Sequence, residues 1–309
     1  MRAAIMVERN GTPSVVTMDD PLTEPNTLRI RAIAAGLQPT DIMRARGTYK
    51  TPAVPYIIGG EGVGELEDGS RVYFGHSIPS SGAFAEWTIV PEEEVWRLPG
   101  AVDAGQAIAL AIAGTGALIP LQEARIRSGE RVLILGATGP LGQVALQAAR
   151  ALGAGCVVAA ARTKDRLERI KARGIADEIV QLGTGNDEAA LRSVAGAGFD
   201  VVLDAIYGPP FVAALRNTAF GARLMTVGAS AGMEVSISAW DMVRRSHHGV
   251  GTGYRPVDER RNAWRWLLNL AAEGRMFVDI AWFDLEDTAS AWASQLESPG
   301  AKIVARIAT

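Results

Sequence analysis

The segment from Arg131 to Ala154, RVLILGATGPLGQVALQAARALGA, constrains the fold more than any other part of the chain. An apolar run, VLIL, leads into a loop with three glycines, and apolar residues in a helical rhythm follow. From there, strand-like and helix-like runs alternate over about a hundred residues, as expected for repeated strand–helix units. Such alternation is typical of a parallel sheet that helices cover on both faces.

A glycine loop between the first strand and the first helix of such a sheet predicts a dinucleotide-binding domain of the Rossmann type. In that interpretation Gly136 forms the tight turn, Gly139 allows the backbone to approach the pyrophosphate, and Gly142 lets the helix pack closely. The pyrophosphate would lie over the N-terminus of the helix, where unpaired N–H groups favour an anion. The alternative is a tight turn that holds no ligand. The loop residues predicted to bind the cofactor are Gly136, Ala137, Thr138, Gly139, Pro140, Leu141 and Gly142.

The second strand of the predicted domain, CVVAAA, indicates which dinucleotide is preferred. NAD sites carry an acidic residue about twenty positions after the glycines, where it accepts hydrogen bonds from the ribose. Here the strand ends at Arg162 and Thr163, and Arg166 follows one helical turn later. An arginine at this place can bind a 2′-phosphate through two hydrogen bonds, so the sequence favours NADPH. A solvated surface arginine is the alternative.

The first hundred residues predict a different architecture, rich in short β-strands. RAAIMVE and SVVTM flank Asn10-Gly11, a hairpin signal, and no long helical period occurs before about Val102. A chain of 309 residues favours two domains, with boundaries near residues 120 and 275. We therefore expect residues 121–274 to form the Rossmann domain and residues 1–120 the β-rich domain, which the segment 275–309 would complete.

Composition excludes several classes of protein. The formal net charge is −3, which provides no electrostatic footprint for nucleic acid or for an anionic membrane. The N-terminus lacks the apolar core of a secretory signal, so we expect a cytoplasmic protein. Two long uncharged stretches are rich in alanine and glycine and contain polar residues, so buried soluble elements are expected there rather than membrane spans.

The glycine loop, placed after a β-rich domain, resembles the medium-chain dehydrogenase/reductase superfamily in its quinone oxidoreductase-like branch. Four further segments are similar to that branch: AAGLQPTDIMRARGTY, IIGGEGVG, GAFAEWTIVPEEEVWRLP and AKIVARI. Short-chain dehydrogenases carry a similar loop, but they need a Tyr-x-x-x-Lys pair, which none of the five tyrosines here forms. The resemblance implies an α/β protein with a GroES-like catalytic domain that is interrupted by an inserted Rossmann domain. It also implies cofactor contacts from Thr115, Gly228 and Ala229.

The chain departs from the zinc-dependent members of the superfamily at their ligand positions. Those members need a cysteine near Gln38 and a histidine at Gly60, and three histidines with one cysteine cannot supply a known zinc pattern. We therefore expect no metal. In the quinone oxidoreductase-like branch an asparagine occupies the place of Gln38 and faces the cofactor and substrate.

Without a metal to polarise a carbonyl, the expected substrate is an acceptor that is already electrophilic, a quinone or an α,β-unsaturated carbonyl. Gln38 and Tyr49 are the candidate catalytic residues for stabilising the developing anion, and Tyr49 packed as an interface aromatic is the alternative. Asp41 is expected to fix its own loop. A second functional hypothesis is an NADPH-binding redox sensor or binding module with little turnover. The segment MEVSISAW lies where relatives pair the edge strands of two Rossmann domains, so a homodimer is also expected.

Overall fold

The computed structural model describes residues 1–77, 81–100 and 102–307. Contacts within the chain divide it into two compact units. The first comprises Met1–Ile112 and the segment from Val278 onwards, and the second comprises Ala113–Phe277. The two ends of the chain therefore belong to one unit, and a continuous central segment forms the other.

Antiparallel strands dominate the first unit. One sheet has the order β2-β1-β4, and a second sheet contains β3, β5, β6, β7 and β8. These elements are β1 (Arg2–Met6), β2 (Ser14–Thr17), β3 (Thr27–Gly36), α1 (Pro39–Arg46), β4 (Tyr56–Ile57), β5 (Glu61–Glu65), β6 (Arg71–Gly75), β7 (Trp87–Pro91), β8 (Val95–Arg97) and α2 (Ala104–Ala109).

Two features of this region differ in detail from the sequence-based expectations. β1 and β2 do pair antiparallel, with Ile5 opposite Ser14, but a longer loop than a two-residue turn joins them. The short helix α1 lies in the region where the sequence shows no long helical period. Its signals are local ones: proline in the first turn and Gly47 at the C-terminus, where φ is 77°. Eight residues are too few to show a clear helical period.

The second unit contains a six-stranded parallel sheet with the order β11-β10-β9-β12-β13-β14. The order reverses between β9 and β12, which is the doubly wound Rossmann arrangement. Its elements are α3 (Ile112–Glu123), β9 (Arg131–Leu135), α4 (Pro140–Ala151), β10 (Cys156–Ala161), α5 (Lys164–Ala172), β11 (Glu178–Gln181), α6 (Asp187–Ala195), β12 (Phe199–Asp204), α7 (Gly208–Arg216), β13 (Thr218–Thr226), α8 (Ala239–Met242), β14 (Ser246–Gly249) and α9 (Val257–Ala272).

The sequence indicated MEVSISAW as the edge of this sheet beyond β13, but a different segment forms that edge. Residues 233–238 of MEVSISAW form no strand, and the segment ends in the short helix α8. The edge strand is β14, which contains His247 and His248 and runs parallel to β13. β14 is short and polar, with both histidines exposed, so alternation of apolar residues could not reveal it.

The last segment of the chain returns to the first unit. It forms β15 (Ile280–Asp284), α10 (Thr288–Leu296) and β16 (Lys302–Arg306). β16 pairs antiparallel with β3 and parallel with β15, and so extends the larger sheet to seven strands. The β-rich unit and the parallel-sheet unit together confirm the predicted α/β class with a Rossmann domain.

Candidate functional site

The glycine loop follows β9 at the carboxyl end of the sheet, beside the point where the strand order reverses. Gly136 has a φ of 81°, a left-handed conformation that favours glycine. Its N–H and that of Ala137 both donate to the carbonyl of Ala160, at 2.9 and 3.1 Å. The turn is thereby held to the neighbouring strand β10, and the chain is directed into the N-terminus of α4.

The other two glycines of the loop occupy different environments. A Cβ on Gly142 would lie 2.4 Å from the carbonyl oxygen of Gly136, so the first turn of α4 packs against the loop at a distance that no other residue permits. A Cβ on Gly139 would meet nothing closer than the Gly136 oxygen at 3.7 Å. The space beside Gly139 is therefore open, next to first-turn N–H groups that have no partner within the helix.

Helix α3 approaches the same loop within the second unit. Leu141 lies 3.2 Å from the position of a Cβ on Gly116. Thr115, the residue before Gly116, is buried at 4 % exposure. The structure therefore brings the segment of Thr115 to the start of α4, although the two are far apart in sequence.

Arg162 lies just beyond the carboxyl end of β10, at the same edge of the sheet as the glycine loop. Arg162 and Thr163 are exposed and Arg166 is half-buried. Within the described part of the chain, no carboxylate lies within ion-pair distance of the Arg162 guanidinium. Thr163 is the N-cap of α5, and its side chain makes no capping hydrogen bond. The guanidinium of Arg162 and the hydroxyl of Thr163 are thus presented together, and among the described residues the guanidinium has no ion-pair partner.

Asp204, at the end of β12, lies at the same edge of the sheet as the glycine loop and was not predicted from the sequence. It is fully buried, and one carboxylate oxygen accepts the N–H groups of Ile206 and Tyr207 at 2.9 and 2.8 Å. The other accepts the hydroxyl of Thr226 at 3.1 Å. Burial raises the pKa of the Asp204 carboxyl, and these hydrogen bonds act against the rise. In the sequence, this residue could have been found as an acidic residue that directly follows the apolar strand run VVL.

The loop after β13 is held by contacts with Asp204 and Ala205 at the end of β12. Val227 donates its N–H to the carbonyl of Asp204 at 2.8 Å, and a Cβ on Gly228 would lie 2.5 Å from the carbonyl of Ala205. Gly228 and Ala229 therefore follow β13 at the carboxyl edge of the sheet, where a glycine is sterically required at the first of the two positions.

The helix α1 of the first unit brings three polar residues to one side. Gln38 is its N-cap, and Asp41 and Arg44 follow at intervals of three residues. Asp41 joins the other two: one oxygen accepts the backbone N–H of Gln38 at 3.0 Å, and the second accepts from Nη1 of Arg44 at 3.2 Å. Asp41 is 3 % exposed, and burial raises the pKa of its carboxyl to about 6, with Arg44 and the Gln38 N–H acting against that rise. The expectation that Asp41 fixes its own loop agrees with these contacts.

A second buried group of charged residues is an ion pair between Glu61 of β5 and Lys302 of β16. Glu61 is fully buried, accepts Nζ of Lys302 at 2.5 Å and accepts the hydroxyl of Tyr73 at 2.9 Å. Tyr49, after the end of α1, is half-buried and lies under the Lys50 ammonium, 5.6 Å from its ring. Among the described residues no hydrogen bond joins Tyr49 to Gln38.

The residues at the zinc-ligand positions do not fit a zinc ion. A Cβ on Gly60 would lie 3.7 Å from Nε2 of Gln38, so the two positions are neighbours in space. One now carries an amide and the other no side chain, and Nη1 of Arg44 stands 3.0 Å from the same point. Neither residue supplies the thiolate or imidazole that zinc prefers, and a guanidinium repels a cation. Residues 1–77, 81–100 and 102–307 also contain no cluster of three His, Cys, Asp or Glu that could hold a metal.

Comparison with known proteins connects both units to described families. Residues 24–100 match the family model of the alcohol dehydrogenase GroES-like domain, and residues 140–273 match that of the zinc-binding dehydrogenases. Together the matches cover more than half of the chain. In the part of the chain that the structure describes, no helix is long and apolar enough to cross a membrane.

Similar proteins and structures extend over the whole length. The quinone oxidoreductase of Sus scrofa is 28 % identical over 97 % of this chain and 96 % of its own. The structure of the quinone oxidoreductase of Thermus thermophilus, also solved as a complex with NADPH, is 28 % identical with a TM-score of 0.85, covering 99 % of this chain and 100 % of that one. The quinone oxidoreductase of Pseudomonas syringae pv. Tomato, at 23 % identity, has the same fold, with a TM-score of 0.86 over 99 % of this chain and 100 % of that one. The chain thus belongs to the medium-chain dehydrogenase/reductase superfamily, as a quinone oxidoreductase-like protein.

Proposed function

We propose that this oxidoreductase is NADPH-dependent and zinc-independent, and that it transfers hydride to a quinone or an α,β-unsaturated carbonyl. The observation that carries the proposal is the donor set around Gly60, where the amide of Gln38 replaces one metal ligand and the guanidinium of Arg44 approaches the position of the other. Such a site offers hydrogen bonds and positive charge instead of a Lewis-acidic metal. It therefore suits an acceptor that needs only its developing anion stabilised.

The proposed cofactor site lies at the carboxyl edge of the parallel sheet. Backbone N–H groups at the start of α4 would bind the pyrophosphate beside Gly139, and Arg162 with Thr163 and Arg166 would bind the 2′-phosphate. Thr115 and the loop at Gly228 and Ala229 complete the proposed contacts. When bound, NADPH supplies the hydride.

Gln38 and Tyr49 are the proposed donors to the acceptor oxygen. The backbone N–H of Gln38 is held by Asp41, which fixes the residue that carries the amide. Water supplies the proton that completes the reduction. The names of the pig and Thermus relatives, both quinone oxidoreductases, and the NADPH complex of the latter support the reduction of a quinone by NADPH.

The test is steady-state oxidation of NADPH with a panel of quinones and conjugated enones, and reduction of NADP⁺ with simple alcohols, each with and without a chelator. We expect quinones and enones to be reduced, simple alcohols not to be oxidised, and the chelator to have no effect. Gln38→Ala and Tyr49→Phe should each lower turnover by about 100-fold or less, near the lower end of what the loss of one oxyanion donor costs. Tight NADPH binding without turnover on any acceptor would favour a redox sensor instead, and a stoichiometric zinc needed for activity would refute zinc independence.

We also propose a homodimer formed through the second unit. Large apolar side chains are exposed between residues 220 and 243, and such a surface is a liability when left uncovered. The edge strand β14 follows directly and presents unpaired backbone groups. The exposed residues are Phe220, Met233, Ile237, Trp240 and Val243.

A further inference from the structure

Arg44 has more hydrogen-bonding capacity than its neighbours use. A guanidinium carries five N–H donors, and within the described part of the chain its only hydrogen bond is the one that Nη1 donates to Asp41. The side chain is 22 % exposed, so a ligand can reach it, whereas the Asp41 side chain is only 3 % exposed. The other carboxylate nearby, Glu61, is engaged by Lys302 and Tyr73 and so does not compete for Arg44.

The absence of a side chain at Gly60 creates space beside this guanidinium. One point, the position of a Cβ on Gly60, lies 3.0 Å from Nη1 of Arg44 and 3.7 Å from Nε2 of Gln38. Two nitrogen donors therefore flank the same side of Gly60. A planar ligand lying against the Gly60 backbone would bring one oxygen within reach of both.

Asp41 holds this arrangement in place before any ligand arrives. It bonds the backbone of Gln38 and the head of Arg44 at once, and it is buried in α1. Donors that are already oriented stabilise a developing charge without reorganising during the reaction. Asp41 acts here as a positioning residue.

We propose that Arg44 is a further catalytic residue, whose guanidinium binds the acceptor oxygen and stabilises the negative charge that forms on it. The inference rests on the hydride transfer proposed above. In that step a C–H bond forms at the electrophilic carbon as the nicotinamide C–H bond breaks, and the π electrons move to the acceptor oxygen. NADPH is oxidised to NADP⁺, and the resulting enolate or hydroquinone anion takes its proton from water. Arg44 binds the oxygen at the stage when it carries the charge.

An equilibrium experiment tests the site without turnover. The probe is 4-nitrophenol, whose ionised fraction is read from its visible absorbance, added to the NADP⁺-saturated protein at a pH equal to the probe's own pKa. We expect the bound probe to be almost wholly ionised on the wild type and on Arg46→Met, a matched control from the exposed side of α1. On Arg44→Met the ionised fraction of the bound probe should fall to that of the free probe or below. A probe that binds without a change of ionisation on the wild type, or an unchanged ionised fraction on Arg44→Met, overturns the proposal.

Two further variants keep the test decisive if Arg44→Met folds poorly. Arg44→Lys keeps the charge and loses the planar donor fork, so the ionised fraction should be partly restored. Gly60→Ala keeps Arg44 but places a methyl group 3.0 Å from Nη1, which must then move. An intermediate ionised fraction on Gly60→Ala supports the proposed geometry, and a wild-type fraction on it contradicts that geometry.

Kinetics then separates this inference from the proposed function. Arg44→Met should lower kcat by about 10²- to 10³-fold, the usual cost of one oxyanion donor, with the Kd for NADPH unchanged. The loss should be larger for an enone than for a quinone, because the hydroquinone anion is intrinsically more stable. A kcat of Arg44→Met equal to that of the wild type refutes the role of Arg44 and leaves the proposed function standing. Absence of any turnover in the wild type refutes the proposed function, and the probe experiment still decides whether Arg44 binds an anion.

Discussion

At the level of single residues, the charge of Arg162 is the feature with the clearest consequence for cofactor choice. Its guanidinium is exposed at the carboxyl end of β10, without an ion-pair partner in the described residues. Loss of a charged hydrogen bond costs about 1.5–3 kcal/mol. Arg162→Ala should therefore weaken NADPH binding roughly ten- to a hundred-fold and leave NADH binding unchanged, as measured by fluorescence titration. Arg169→Ala, at an exposed arginine on the following helix α5, is the control, and equal losses for both cofactors would show that Arg162 does not bind the 2′-phosphate.

The buried carboxyl of Asp41 predicts a pH dependence of stability. Burial raises its pKa from 3.8 to about 6, so the folded protein binds this proton more tightly than the unfolded chain does. Its contribution to stability is therefore greatest below pH 4 and is lost as the pH rises to about 6. The loss is about 3 kcal/mol for a shift of this size.

Urea denaturation of the wild type and of Asp41→Asn between pH 4 and pH 7 measures that contribution. We expect the difference in unfolding free energy between the two proteins to change by about 3 kcal/mol across the window, in favour of the variant at the upper end. Asp19→Asn, at an exposed position, should give a constant difference from the wild type. Parallel curves for Asp41→Asn would show that Asp41 does not titrate in this range.

How far the sequence predicts the site depends on whether the contacts are local. The glycine loop could be predicted directly, because Gly139 and Gly142 both face the carbonyl of Gly136, which lies at most six residues earlier in the chain. The cluster around Gly60 could not, because Arg44 and Gly60 are distant in sequence and meet only in the folded first unit. Asp204 was missed for a related reason: its partners on the β13 side, Thr226 and Val227, reach it through the parallel pairing of β12 with β13.

At the level of elements, two glycines at the junction between the glycine loop and α4 have different roles. Gly142 allows close packing, and Gly139 is proposed to leave room for the cofactor. Gly142→Ala would place a methyl group 2.4 Å from a backbone oxygen, so the loop or helix must shift. We expect a loss of about 1–3 kcal/mol in unfolding free energy, measured by denaturation without cofactor.

Gly139→Ala is the matched variant at the same junction. Its methyl group meets nothing within the chain closer than 3.7 Å, so stability should fall by less than about 1 kcal/mol. The methyl group would occupy the space proposed for the pyrophosphate, and NADPH binding should weaken at least about tenfold. Wild-type affinity in Gly139→Ala would show that this glycine does not approach a ligand.

Long elements with a clear period were predicted well, and short polar ones were not. The strands and helices from β9 to β13 follow the pattern of the sequence because each buries a continuous apolar run or face. α1 and β14 are short and largely polar, and tertiary contacts rather than local pattern determine them. The segment MEVSISAW has strand-like alternation, but residues 233–238 pair with no neighbouring strand.

At the level of the whole molecule, the exposed apolar side chains of the second unit predict the oligomeric state. Light scattering at micromolar concentration should give the mass of a dimer, and Trp240→Glu, at a side chain 80 % exposed, should shift it to that of a monomer. Leu22→Glu is the control, because Leu22 is similarly exposed but belongs to the first unit. A monomeric wild type would refute the proposed dimer.

The return of the chain to its first unit has a consequence for synthesis on the ribosome. Every residue of the parallel-sheet unit is translated before β15 and β16, so that unit can fold while the first still lacks two strands. Until Lys302 emerges, burial of Glu61 would leave a carboxylate without its counter-charge, which is strongly unfavourable. Nascent chains released before residue 300 should therefore present a protease-sensitive N-terminal region next to a resistant central one, and the last strand should complete the enzyme in a single late step.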